Sequence, residues 1–171
     1  MLTNRNLPSF YFLKLTGISI EGTRLALSPT ETVLDSGTSF TYLTPTSYFV
    51  LHGIFGKKMS NFPTALPILY LDTCYDLTGH SEVDVPEIVL TYDGEVPTIL
   101  DGSGIRYIVS VSQACLAFTK LNDDVKVSNI GNMHQCRFNV VYDVGNLRIG
   151  FGSNVVASDG SIDVIGLNAM Y

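Results

Sequence analysis

Val33-Leu34-Asp35-Ser36-Gly37-Thr38-Ser39 is the stretch of this chain whose residue types and spacing could do chemistry. Two apolar residues carry the chain out of a strand, and an acid stands at the strand end. A small hydroxyl residue, a glycine and a second hydroxyl residue follow. Gly37 has no Cβ to keep backbone away from the carboxylate. Backbone N–H groups and the Thr38 hydroxyl could then hold Asp35 in one orientation. A carboxylate held that way has a lowered pKa and a fixed geometry, as a general base needs. By themselves these residues read first as a capped surface turn, because Asp, Ser and Gly dominate turns.

The elements that must position this loop are mostly strands. Phe10 to Ile20 (FYFLKLTGISI) alternates loosely and ends at the turn signal Glu21-Gly22. Thr23 to Leu27 continues as a partner strand. Thr32 to Leu34 runs into Asp35, and Phe40 to Leu43 follows the loop. Thr44 can N-cap a helix whose first position is Pro45. Tyr48, Leu51, Phe55 and Met59 recur at spacings of three and four, giving one apolar stripe. Lys57 and Lys58 suit the negative end of the helix dipole.

Strands return at Glu87 to Tyr92, Thr98 to Leu100, Ile105 to Val111 and Ala114 to Thr119, which are rich in β-branched and aromatic residues. Asp93-Gly94 and Asp101-Gly102 read as turns between them. Ser128-Asn129-Ile130-Gly131-Asn132 reads as an apolar residue and a glycine entering a short polar turn. Arg137 to Asp143 and Leu147 to Phe151 flank the hairpin signal Val144-Gly145-Asn146. The fold class is therefore all-β with minor helix. The expected organisation is one domain over residues 1–152 and a loose C-terminal tail over 153–171, where strand alternation is lost.

Composition removes several function classes. The 171 residues are 46% hydrophobic and 15% charged, below the roughly 25% charged of an average soluble chain. The formal net charge is −6 and the basic residues are scattered, which argues against nucleic acid or an anionic membrane surface as a partner. No apolar run approaches the ~18 residues of a membrane span. Met1 to Asn6 does not lead into a long apolar core, so no signal peptide is expected.

Cys74, Cys115 and Cys136 show no CxxC and no zinc-type pairing with His52, His80 or His134, so no metal site is expected. Three cysteines allow one disulfide and one leftover thiol, without saying which pair. Cys136 lies two residues from His134, but no third orienting group accompanies them. A buried or half-buried thiol is the expected state of Cys136. Asp123-Asp124 reads as a solvated loop, because an isolated acidic pair lacks the spaced oxygen ligands of a calcium site.

The segments DSGT (Asp35 to Thr38), NIGN (Asn129 to Asn132) and FNVVYDVGNLRIGF (Phe138 to Phe151), in this order, resemble the C-terminal lobe of pepsin-like aspartic proteases. The closer resemblance is to the plant nepenthesin-type branch, through LTGISIEG (Leu15 to Gly22), DSGTSFTYL (Asp35 to Leu43), DTCYD (Asp72 to Asp76) and CLAF (Cys115 to Phe118). It covers about residues 2 to 152. So many ordered motifs together are specific.

The resemblance implies one lobe of the bilobal acid protease fold. It implies that Asp35 is the second of two catalytic aspartates and that Ser36 is the hydroxyl that bonds across the dyad. Thr38 would bond the outer carboxylate oxygen, and Gly37 would let the loop pass close to its mate. Ile130 and Gly131 would be the apolar-glycine pair beneath the catalytic loop. Cys74 and Cys115 would form a disulfide. No cofactor is implied. The implied partners are an extended polypeptide substrate and the N-terminal lobe that carries the other aspartate. Family members are mostly secreted, apoplastic, vacuolar or plastid proteins. The same lobe type occurs in xylanase inhibitors, which bind rather than cut, so a non-catalytic lobe or a truncated product is the alternative expectation.

Overall fold

The structure is a computed structural model that describes residues 10–124, 127–153, 155–156 and 162–163. The chain opens with β1 (Phe12–Ile20), β2 (Thr23–Arg24), β3 (Thr30–Leu34), β4 (Thr41–Leu43) and helix α1 (Pro45–Lys58). There follow β5 (Cys74–Asp76), β6 (Ile88–Tyr92), β7 (Val96–Leu100), a short α2 (Gly102–Ile105), β8 (Arg106–Ser110), β9 (Gln113–Leu116) and β10 (Phe118–Lys120). The last part holds β11 (Ser128–Ile130), a short α3 (Asn132–Gln135), β12 (Phe138–Asp143), β13 (Arg148–Ser153), β14 (Val155–Val156) and β15 (Ile162–Asp163). The class is the expected one, mostly strand with minor helix.

An eight-stranded sheet runs in the order β10-β4-β11-β3-β1-β6-β7, with β2 paired to β1. Its turns carry the expected chemistry. Glu21 and Gly22 both adopt positive φ between β1 and β2, as a mirror-type hairpin turn requires. Gly94 and Glu95 adopt positive φ in the three-residue loop between β6 and β7. At the centre, β3 and β11 are parallel, with Leu34 paired to Ile130. Asp35 and Gly131 therefore leave the sheet side by side at the same end.

Ile18, Ile20, Leu43, Leu51, Ile88 and Leu90 have no exposed surface, and they form the main core. Helix α1 contributes Tyr48, Leu51 and Phe55, with Met59 just past its end, all buried. This is the stripe the spacing predicts. Burying each such side chain stabilises by about 1.5–3 kcal/mol, which offsets the helical cost of Gly53 and Gly56. Thr44 is the N-cap residue, but its hydroxyl donates to Ser47 rather than capping backbone. Asp124 serves the first turn instead, accepting from the Thr46 N–H at 2.9 Å and the Thr46 hydroxyl at 2.8 Å. Those bonds hold its carboxyl below the ordinary value. Asp124 is exposed in a turn, as the solvated-loop reading expects, and a chain crossing brings its carboxylate to the helix end.

Two readings change. Asp101-Gly102 is not a simple turn: Asp101 caps α2, accepting from the N–H groups of Ser103 and Gly104. Ala114 to Thr119 is not one strand. It splits at fully buried Ala117 into β9, which joins β5 and β8 in a separate sheet, and β10, which edges the large sheet. The Ala117 N–H donates to Ile105 and its carbonyl accepts from Thr41, so this residue stitches the two layers together.

The Cys74–Cys115 disulfide links directly paired residues of β5 and β9 and closes a separation of 41 positions. Cys136 lies outside it and is exposed, which corrects the expected burial. It follows a four-residue helix whose other face is the one turned inward. The β12–β13 hairpin docks on the large sheet by stacking Phe151 on Tyr92, with ring centroids 5.1 Å apart. Beyond it, β14 and β15 form a two-residue antiparallel pair. The remainder of the expected loose tail lies outside the described residues, as do residues 1–9.

Candidate active site

Asp35 is the first residue past β3 and is partly buried. Both of its carboxylate oxygens have protein donors. Oδ1 accepts from the Gly37 N–H at 3.0 Å, and Oδ2 accepts from the Thr38 hydroxyl at 2.5 Å. The Asp35 carbonyl accepts from the Thr38 N–H at 3.2 Å, closing the turn. A Cβ on Gly37 would stand 3.2 Å from Oδ1, tighter than ordinary packing. Glycine is thus the residue that lets backbone reach this carboxylate. Ser36 lies at the exposed crest of the loop.

Beneath the loop passes the chain from β11 into α3. The Ile130 carbonyl accepts from the Asp35 N–H at 3.1 Å. The Asn132 N–H donates to Thr38 at 2.7 Å and the Met133 N–H to Ser39 at 3.1 Å. Gly131 is the tightest point. A Cβ there would lie 2.2 Å from the Phe40 oxygen and 2.8 Å from the Ser39 oxygen. All six loop residues proposed from the sequence, Asp35, Ser36, Gly37, Thr38, Ile130 and Gly131, therefore meet in one place.

Sequence reasoning missed the polar groups behind this crossing. Thr41 is fully buried on β4, and its Oγ1 accepts from the Gly131 N–H at 3.0 Å. Buried His134 places Nδ1 2.6 Å from the same oxygen. Buried Gln135 donates from Nε2 to the Ile130 carbonyl at 2.6 Å. Asn129 accepts from the Tyr42 N–H through Oδ1. The signal was a cluster of polar residues in otherwise apolar elements, Thr41 inside FTYL and His134-Gln135 after the glycine. Burial drives the His134 pKa down to about 3.

Asp35 opens onto a cavity of about 270 Å³ lined by Phe10, Phe12, Val33, Val127 and Asn129. Apolar walls beside an oriented carboxylate suit a chain with apolar side chains. A wider cleft of about 730 Å³ lies elsewhere, lined by Tyr42, Phe49, Tyr70 and Lys120 among others. Lys120 there is paired with Asp72, whose carboxylate also accepts from buried Tyr48. Partial burial pushes Asp72 up, but the bonds from Lys120 and Tyr48 outweigh it and hold the carboxyl below its ordinary value. A carboxylate neutralised this way is a structural anchor, so the volume of that cleft does not make it the reactive site.

The family model described as xylanase inhibitor C-terminal matches residues 10–153. An aspartyl protease family protein of Arabidopsis thaliana is 37% identical over 151 residues, covering 85% of this chain and 32% of that protein. Aspartic proteinase nepenthesin-2 of Nepenthes gracilis is 31% identical over 157 residues, covering 84% of this chain and 35% of that protein. The chain thus spans about a third of the length of these relatives. Among solved structures, the basic 7S globulin from soybean superposes with a TM-score of 0.76 at 15% identity, over 97% of this chain and 45% of that one. Conglutin gamma from lupine seeds gives 0.76 at 18% identity, over 94% of this chain and 41% of that one. At such identities these two establish the fold alone. The family match and the two protease relatives establish more: this chain belongs to the xylanase inhibitor C-terminal family and is the C-terminal lobe type of nepenthesin-like aspartic proteases.

Proposed function

We propose that this chain supplies one half of an aspartic endopeptidase, with Asp35 as one of two catalytic carboxylates. The observation that carries the reading is the double anchoring of Asp35 by the Gly37 N–H and the Thr38 hydroxyl over the Gly131 crossing. Kinship with plant aspartyl proteases supports it.

Two carboxylates a few ångströms apart cannot both ionise easily, so they share one proton and titrate as a pair. The ionised member takes a proton from a water as it attacks the peptide carbonyl. The protonated member hydrogen-bonds the carbonyl oxygen and stabilises the charge that develops there. Thr38 and Gly37 keep the Asp35 oxygens aimed at that water. Ser36, exposed at the crest, bonds toward the facing lobe in this reading. The substrate lies extended, with apolar side chains against Phe10, Phe12 and Val33. Asp35 alone lacks its mate, so catalysis belongs to the two-lobed protein and the single lobe is inactive.

A second reading, a binding lobe without catalysis, is favoured by the inhibitor description of the family model. Calorimetry with a statine-type peptide separates the two. Its hydroxyl replaces the water between paired carboxylates. The enzyme reading expects tight binding to a two-lobed polypeptide made by placing the N-terminal part of nepenthesin-2 before this chain, lost in Asp35→Ala. Equal binding by the Asp35→Ala variant would exclude the catalytic role.

A further inference from the structure

His134 and Thr41 lie outside the groups that touch the reacting atoms, yet they form a buried side-chain route to the Gly131 crossing. Their arrangement is specific. The Gly131 N–H donates to Thr41 Oγ1, and Oγ1 sits 2.6 Å from His134 Nδ1. The Gly131 carbonyl accepts from the His134 N–H, so the same residue grips the glycine from both sides. We propose that His134, acting through the Thr41 hydroxyl, is a positioning residue for the Gly131 turn on which the Asp35 loop rests. The inference builds on the proposed role of Asp35.

We assign the tautomer from the hydrogen-bond partners, since the contact of Thr41 Oγ1 with His134 Nδ1 fits a proton on either atom. Thr41 Oγ1 has one proton and already accepts from Gly131. Donating that proton to an unprotonated Nδ1 gives both the hydroxyl proton and the Gly131 N–H a partner. The ring must then carry its proton on Nε2, which is buried without a partner among the described residues. It packs against Phe118, with centroids 4.3 Å apart. A charged imidazolium would have no counter-ion there among the described residues. Ionisable groups on the neighbouring elements are engaged elsewhere: Asp101 beside α2 with Arg137, Arg106 with the Gly102 carbonyl, Lys120 with Asp72, Asp143 with Asn146. Tyr142 on β12 packs against Tyr11. Desolvation therefore keeps the ring neutral, and Nδ1 an acceptor, in acid where an ordinary histidine is charged.

The test uses amide hydrogen exchange by NMR on the 171-residue chain. His134→Phe keeps a ring but gives Thr41 no acceptor. His134→Gln restores an acceptor. We expect exchange at the Gly131 amide to rise about tenfold in His134→Phe, the equivalent of one lost hydrogen bond, and to return near wild type in His134→Gln. Unchanged exchange in His134→Phe, or exchange in His134→Gln as fast as in His134→Phe, would overturn the proposal. Should His134→Phe fail to fold, the wild type decides: the Gly131 amide shift must move together with ring protonation at about pH 3, and an amide that ignores the ring's titration refutes the link. In the two-lobed polypeptide His134→Phe should lower kcat with KM unchanged, with rescue by His134→Gln. Failure of every form to cleave, with the exchange pattern intact, would strike the proposed function and leave the positioning role standing.

Discussion

Gly131 lies so close to Phe40 that a Cβ on the glycine would stand 2.2 Å from the Phe40 carbonyl oxygen. Both atoms are backbone or fixed to it, so neither can swing aside. This contact sets how near the β11 chain comes to the Asp35 loop. Gly131→Ala should therefore destabilise by more than the usual 1–3 kcal/mol of overpacking and displace Asp35. Gly53, on the exposed face of α1, has nothing within 4 Å of its built Cβ. Gly53→Ala should stabilise by about 0.4–1 kcal/mol. Urea unfolding of the two variants checks both signs.

The disulfide gives a second prediction. Closing 41 positions between Cys74 and Cys115 lowers the entropy of the unfolded chain. The loop-entropy relation gives about 4 kcal/mol. The Cys74→Ala/Cys115→Ala variant should lose stability on that scale. Exposed Cys136 should take up a maleimide in the native protein. A non-reduced digest that crosslinks Cys136 to either partner would contradict the pairing.

The buried His134 ring makes acid costly. Its folded pKa, about 3, lies below the ordinary 6.5. Between these values the unfolded chain binds a proton that the folded chain does not. Stability is thus fully present above about pH 6.5 and falls as pH drops toward 3, with a slope of about 1.4 kcal/mol per pH unit from this group. His134→Gln should lose less stability than wild type over that window, measured by urea unfolding across it. Parallel curves would refute the neutral ring.

Asp101 ties two distant segments. It caps α2 and pairs with Arg137 at 2.8 Å, past α3. Asp101→Ala should cost about 1 kcal/mol through the lost cap, while Arg137→Ala costs less because the ion pair is exposed and screened. Thermal unfolding of both variants gives the order.

Local chemistry explains what the sequence made legible. Alternation gave most strands, Pro45 and the Tyr48-Leu51-Phe55-Met59 spacing gave α1, and DSGT with NIG marked the loop and its underpass. The parts that were not legible depend on chain crossings. Nothing local splits Ala114 to Thr119 at Ala117, because the break arises where two sheets share one strand. Asp124 reaches Thr46 across 78 positions and Thr41 reaches Gly131 across 90. A side chain's partner at such a separation is set by topology, so a polar residue inside an apolar strand signals only that a partner exists.

Cleavage of denatured protein at about pH 4, where a carboxylate pair holds one proton, bears most directly on the role of Asp35. With Asp35 as one of two catalytic carboxylates, the 171-residue chain should not cleave and the two-lobed polypeptide should. Asp35→Asn should slow the latter about a thousandfold, the scale of a lost general base, without unfolding it. Full activity in the Asp35→Asn polypeptide, or Asp35-dependent cleavage by the single lobe, would contradict that role.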